Sequence, residues 1–205
     1  MLVVGPGTGL GVAAVLRHGD VWLPLASEGG HAGIGPLTPA EKAIWRYLEG
    51  GLLSAEDLLS GRGLSTLYRA IVASSGGLRL DDSPSCVTGR GLARQDEAST
   101  ATIRLFAMLL ARFAGDMALA FGARGGVFIG GGIAPRLCDV IVSDDFQAAF
   151  AGSGHGSDYL RDIPVSLITR PDAALKGLAG IGDSPFTFGI DYATRLWMTL
   201  SLIHI

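Results

Sequence analysis

Apolar residues between Met1 and Ser27 fall into short runs: Leu2-Val3-Val4, then Val12 to Leu16, then Val21 to Leu25. A glycine-rich stretch separates the first two runs, and Arg17-His18-Gly19-Asp20 separates the second from the third. Runs this short, broken by such turns, predict three antiparallel strands. Glu28-Gly29-Gly30-His31 closes the third. From there the pattern changes. Thr38-Pro39-Ala40-Glu41 offers a cap, a proline at the first helical position and an early acid, which predicts a helix to about Glu49. Ser54-Ala55-Glu56-Asp57 starts a short helix to Leu59. After Ser60-Gly61-Arg62-Gly63, the residues Leu64, Leu67, Tyr68, Ile71 and Val72 share one helical face. Ser74 to Ser85 reads as a polar loop and Val87 to Ala93 as a short helix. Gln95 to Phe121 is the longest helical stretch. Val127-Phe128-Ile129 is a buried-strand pattern. A helix ends at Ile141, another runs from Asp144 to about Phe150, and Gly152 to Ser157 is a loop. Pro164 to Ile168 is a strand, and Pro171-Asp172 opens a last helix to about Ala179. Three strands followed by helices interleaved with single strands imply one α/β domain, a mixed sheet with helices on its faces.

Composition narrows the function classes. Of the 205 residues, 48% are hydrophobic and 17% charged, enough apolar material for a large core. The formal net charge is −3 and no Lys/Arg tract occurs, which argues against nucleic acid as a partner. Cys86 and Cys138 are far apart, so neither a disulfide framework nor metal-ligand spacing follows, and a reducing cytoplasm is expected. The first residues lack a basic n-region, so no secretory signal is expected. Arg104, Arg112 and Asp116 interrupt the most apolar helix, leaving uncharged runs well short of the roughly 18 residues a membrane span needs.

The glycines carry the chemistry. Gly5-Pro6-Gly7-Thr8-Gly9-Leu10-Gly11 leaves the backbone bare, and clustered N–H groups there suit an anion, most often phosphate. It is not a P-loop, since no lysine precedes Lys42. It is not the dinucleotide fingerprint either, because the glycine spacing differs and a strand follows rather than a helix. Val127-Phe128-Ile129-Gly130-Gly131-Gly132-Ile133 runs a strand into three glycines and a helix, which brings bare backbone to a flat or anionic ligand. Glu28 and His31 project from one tight turn and suit the hydroxyls of a polyol, or form a solvated turn. Glu56 is a third polar group beside them, or an acid favoured by the helix dipole. Taken singly, these residues leave both readings open.

Taken in order, the motifs resemble the bacterial glucokinase family of hexokinase-like sugar kinases. They are Gly7-Thr8-Gly9-Leu10-Gly11, Glu28-Gly29-Gly30-His31, Ser54-Ala55-Glu56, Leu59-Ser60-Gly61-Arg62-Gly63-Leu64 with Leu67-Tyr68-Arg69-Ala70-Ile71, and Gly125 to Ile133 with Pro135-Arg136. The resemblance runs from about Leu2 to about Gly180. It implies the larger, C-terminal domain of an actin-like ATPase (ribonuclease H-like) fold. By the same resemblance Gly7, Thr8 and Gly9 contact phosphate. Glu28, His31 and Glu56 hold glucose hydroxyls, and Gly130, Gly131 and Gly132 lie on the adenosine side. The implied reaction moves the γ-phosphoryl of ATP to the sugar 6-hydroxyl with Mg²⁺ bridging phosphates. A homodimer is implied, and neither nucleic acid nor membrane as a partner. Zinc-binding relatives carry a cysteine cluster near the histidine; none lies near His31, so no zinc is expected, and no residue here is expected to ligate a metal. The family's smaller N-terminal domain carries the general-base aspartate, and the chain starts after it. The expectation is therefore a fragment lacking that residue, with little kinase activity of its own. The alternative is a non-catalytic sugar-binding or regulatory module of the same fold. Residues 181–205 do not look like the family and are expected to be poorly packed.

Overall fold

A computed structural model describes residues 1–48 and 52–183. Alternate residues of the first two strands are buried: Leu2 and Val4 in β1 (Leu2–Pro6), then Leu10, Val12 and Ala14 in β2 (Leu10–His18). Their partners on the other face stay accessible, which is the two-residue period of a half-covered sheet. β3 is Val21–Ser27, and the sheet order is β3-β2-β1-β4-β5. β1 pairs with β2 antiparallel, Val4 facing Val12 and Pro6 facing Leu10. β4 (Val127–Ile129) lies parallel to β1 on its other side, and β5 (Val165–Leu167) parallel to β4. The expected mixed sheet is present.

Nine α-helices are described: α1 Pro39–Trp45, α2 Ala55–Leu58, α3 Gly61–Ser75, α4 Pro84–Leu92, α5 Glu97–Ala120, α6 Cys138–Ile141, α7 Asp144–Ala151, α8 Ser157–Arg161 and α9 Ala173–Asp183. α5 forms the centre of the helical layer. It packs against α3, α4, α7 and β1 and buries Ile103, Phe106, Leu109, Leu110 and Phe113. Among the described residues no helix is long and apolar enough to cross a membrane. The described residues fall into two units, residues 1–14 with 26–169, and residues 15–25 with 170–183. The first holds the core. In the second, Arg17 lies over the Trp22 ring at 5.4 Å and pairs with Asp20, and Arg170 pairs with Asp172.

Several boundaries depart from expectation, each with a local cause. α1 stops at Trp45 because the Tyr47 and Leu48 N–H groups bond three residues back, to Ile44 and Trp45, tightening the last turn. Glu49, its expected end, lies outside the described residues. α3 starts inside the expected loop, at Gly61, since the Ser60 hydroxyl accepts the Gly63 N–H at 3.1 Å. α4 begins at Pro84 rather than Val87, with the proline in the first turn. Residues 134–137 form a 3₁₀ turn before α6. α8 was not expected: it has a single buried residue, Leu160, and so no readable periodicity. α9 continues to Asp183 rather than Ala179; the rest of the 181–205 tail lies outside the described residues.

Candidate functional site

The parallel pairing of β1 with β4 decides where the two glycine stretches go. In register, Leu2 faces Val127 and Val4 faces Ile129, so both strands reach their glycines at the same end. Gly130 N–H donates to Val4 O at 2.8 Å and Ile133 N–H to Pro6 O at 3.3 Å. A Cβ on Gly5 would lie 3.7 Å from Gly131 N, and one on Gly7 4.0 Å from Gly132 N. Gly131 has φ +78°, and a side chain there would collide with Pro6 O. At position 131 only glycine allows the two turns to touch, whereas a Cβ at Gly5 or Gly7 would make ordinary contact. The carboxyl ends of parallel strands are where open α/β sheets bind ligands.

The first turn is partly closed on itself. Gly7 N–H donates to Gly9 O at 2.8 Å and Gly7 O accepts from Gly61 N–H at 2.8 Å. The start of α3 is thereby docked on the turn. Leu10 N–H donates to Glu56 Oε2 at 2.8 Å. Two of the N–H groups in this turn thus have partners within the protein. Those of Gly7 and Leu10 are already engaged, because the turn must fix its own shape. Among the described residues the N–H groups of Thr8 and Gly9 have no partner, and Thr8 is exposed.

Glu56 is delivered by α2, whose start is set by a reciprocal cap. The Ser54 hydroxyl accepts from Asp57 N–H, while Asp57 Oδ2 accepts from Ser54 N–H at 3.0 Å and from its hydroxyl at 2.7 Å. These bonds from Ser54, with the nearby Arg62 guanidinium adding to them, hold the Asp57 carboxyl below its ordinary value. A Cβ on Gly9 would lie 2.5 Å from Glu56 Oε2, so the carboxylate lies hard against the turn.

Glu28 and His31 flank one turn of 3₁₀ helix, residues Gly29–His31, at the end of β3. Gly30 is buried with its α-carbon so close to Leu10 O that any side chain would collide with it. The Leu10 peptide is therefore clasped, its N–H held by Glu56 and its carbonyl covered by Gly30. Beyond the turn, Ala32 O accepts from Ala55 N–H at 2.8 Å and Gly33 bridges Ser54, which joins the His31 segment to α2. His31 Nε2 and Glu28 Oε2 lie 3.8 Å apart, with side chains 62% and 92% exposed. Glu56 and the Gly29–His31 turn thus both pack on the Leu10 peptide, and the Glu28 and His31 side chains are open to solvent. A cavity of about 900 Å³ lies elsewhere, between Ile34–Thr38 and the Arg112–Asp116 turn of α5, and none of the three lines it.

Sequence reading missed Asp57, although the Ser54-x-x-Asp57 spacing signals its capping role. It also missed the role of Leu10, which is purely main-chain and leaves no side-chain signature. Among the described residues no cluster of His, Cys, Asp or Glu would hold a metal.

The glucokinase family model matches residues 1–184. A curated glucokinase of Sinorhizobium fredii is 43% identical over 198 residues, covering 96% of this chain and 58% of that protein. The crystal structure of a glucokinase from an Antarctic psychrotroph is 35% identical with TM-score 0.80, over 87% of this chain and 56% of that one. A glucokinase of Balamuthia mandrillaris, solved in complex with glucose, shares the fold at TM-score 0.72 and 22% identity, over 83% of this chain and 50% of that one. The chain spans somewhat more than half the length of the curated relatives it matches.

Proposed function

The chain belongs to the glucokinase family, and on that premise we propose that it supplies the glucose- and ATP-holding half of an ATP-dependent glucose 6-kinase. The observation that carries this reading is the abutment of the Gly5–Gly9 and Gly130–Gly132 turns at the ends of adjacent parallel strands, with Glu56 and the turn between Glu28 and His31 both packed on Leu10. Thr8 and Gly9 offer N–H groups, and Thr8 a hydroxyl, to phosphate oxygens, where charge accumulates during phosphoryl transfer. Gly130, Gly131 and Gly132 leave room for the adenosine side of the nucleotide. Glu28 and Glu56 accept hydrogen bonds from sugar hydroxyls, and His31 donates or accepts. Glucose, which the Balamuthia enzyme binds, is the sugar proposed here. Mg²⁺, brought in with the nucleotide, would supply charge neutralisation at the phosphate oxygens beside Thr8 and Gly9. The general base belongs, by family resemblance, to a smaller N-terminal domain outside these 205 residues, and so does the closure that excludes water. A homodimer in the cytoplasm completes the reading; light scattering checks the dimer.

The experiment is calorimetric titration of glucose into the 205-residue chain and its Glu28→Gln and His31→Gln variants, with a coupled kinase assay alongside. The expected result is weak saturable binding that either variant diminishes about tenfold, with turnover far below the roughly 1–100 s⁻¹ of kinases. Binding indifferent to both variants would remove the assigned sugar roles. Kinase-like turnover would overturn the placement of the base elsewhere.

A further inference from the structure

One residue along α2 from Glu56, Asp57 enters a separate cavity of about 390 Å³, lined by Tyr47, Asp57, Arg62, Thr66, Arg69 and Arg79 among others. That volume is near the lower end for small-molecule sites. Arg62, Thr66 and Arg69 are spaced four and three residues apart on α3 and form a single stripe. The helix ends at Gly76 in a left-handed cap, and the chain then brings Arg79 to the same cavity. Three guanidinium groups thus share one small space.

Their carboxylate partners do not balance them. Arg69 and Arg79 share one carboxylate, that of Asp82, Arg69 at 3.6 Å and Arg79 in direct hydrogen bond. Arg62 faces Asp57 at 3.8 Å, beyond hydrogen-bond length, and among the described residues it makes no side-chain hydrogen bond. Asp57 is itself committed to Ser54. Among the described residues, three cations against two carboxylates leave one positive charge in excess. The side chains are 72%, 46% and 59% exposed for Arg62, Arg69 and Arg79, so each reaches solvent, with Arg69 also bonded to Ser65 O and the Thr66 hydroxyl. Guanidinium forks match the oxygen spacing of phosphate and grip it by paired charge-assisted hydrogen bonds. Tyr47 adds a hydroxyl to the lining, while the Thr66 hydroxyl donates to Arg62 O and accepts from Arg69 Nη2.

We propose that this cavity binds a phosphate group, held by Arg62, Arg69 and Arg79, as free phosphate or as a small phosphate monoester. The proposal stands independently of the kinase reading, since none of its residues belongs to the glycine turns or the sugar-facing set.

The test is NMR titration of the 205-residue chain with inorganic phosphate and, separately, glycerol 3-phosphate, at constant ionic strength in chloride. The amides of Arg62, Thr66 and Arg69 are expected to shift saturably. The double variant Arg62→Gln/Arg79→Gln is expected to weaken binding about tenfold or more. Arg62→Lys is expected to retain part of it, and Arg170→Gln to leave it unchanged. Tighter binding of the monoester assigns the site to phosphorylated metabolites, and equal or tighter binding of phosphate to the free ion. Shifts confined to Gly7–Gly9, an unsaturable response at the α3 amides, or affinity unchanged in the double variant would overturn the proposal.

Discussion

Glu56 and Leu10 are 46 residues apart in sequence, and the carboxylate of the first accepts the main-chain N–H of the second at 2.8 Å. A side chain assigned to sugar binding is therefore also a brace for the phosphate-side turn. The two duties are separable by chemistry. Glu56→Ala leaves the Leu10 N–H without a partner and is expected to cost about 1–3 kcal/mol. Glu56→Gln keeps an acceptor for Leu10, so its thermal midpoint is expected within a few degrees of the parent, while its glucose affinity falls. Thermal unfolding and glucose calorimetry on the same two variants check this. Equal destabilisation by both substitutions would contradict the brace.

Gly131→Ala is expected to destabilise the chain by about 2–4 kcal/mol, because the residue adopts φ +78° and the new methyl meets Pro6 O. Gly132→Ala, with open space around its Cβ and no left-handed φ, is the matched control and is expected to be near neutral. Urea unfolding of the pair measures the difference.

Arg112 on α5 holds Glu41 on α1 with Nη1 at 3.1 and 3.0 Å from the two carboxylate oxygens, both side chains mostly buried. Glu41 Oε2 also accepts the Leu37 N–H at 2.7 Å. Arg112→Met strands a buried carboxylate and is expected to cost about 3–5 kcal/mol. Adding Glu41→Gln, which still accepts from Leu37, is expected to restore much of that loss. Denaturant midpoints of the single and double variants decide it.

Two aspartates give opposite pH signatures. Asp57 lies below its ordinary value of 3.8, chiefly through its bonds from Ser54. The unfolded chain takes up that proton first, so the contribution of Asp57 is complete above 3.8 and is lost as pH falls through the lower folded value. Asp57→Asn is expected to lower the melting temperature at neutral pH, with the gap closing in acid. Asp116 is raised above 3.8 by burial, partly offset by Arg112. Its folded form keeps the proton to higher pH, so stability from this group declines as pH rises through the window above 3.8. Asp116→Asn is expected to raise the neutral melting temperature and to lose that advantage in acid. Melting curves across this range test both signs.

Features that depend on near neighbours were legible along the chain. The three opening strands, the start of α1 at Thr38, the Ser54 cap and the break at Gly130 all follow from periodicity, caps and glycine, which act within a few residues. The order of short motifs pointed to the sugar-kinase fold for the same reason. Tertiary structure alone decided which distant groups meet. The Arg112 to Glu41 pair spans 71 residues, the Glu56 to Leu10 bond spans 46, and the contact of Gly131 with Pro6 exists only because β4 lies parallel to β1. Periodicity tells a side chain which face to take; it carries no information about which backbone will occupy the space opposite. That choice is made when the sheet and α5 pack, and there the glycines and carboxylates acquire their partners.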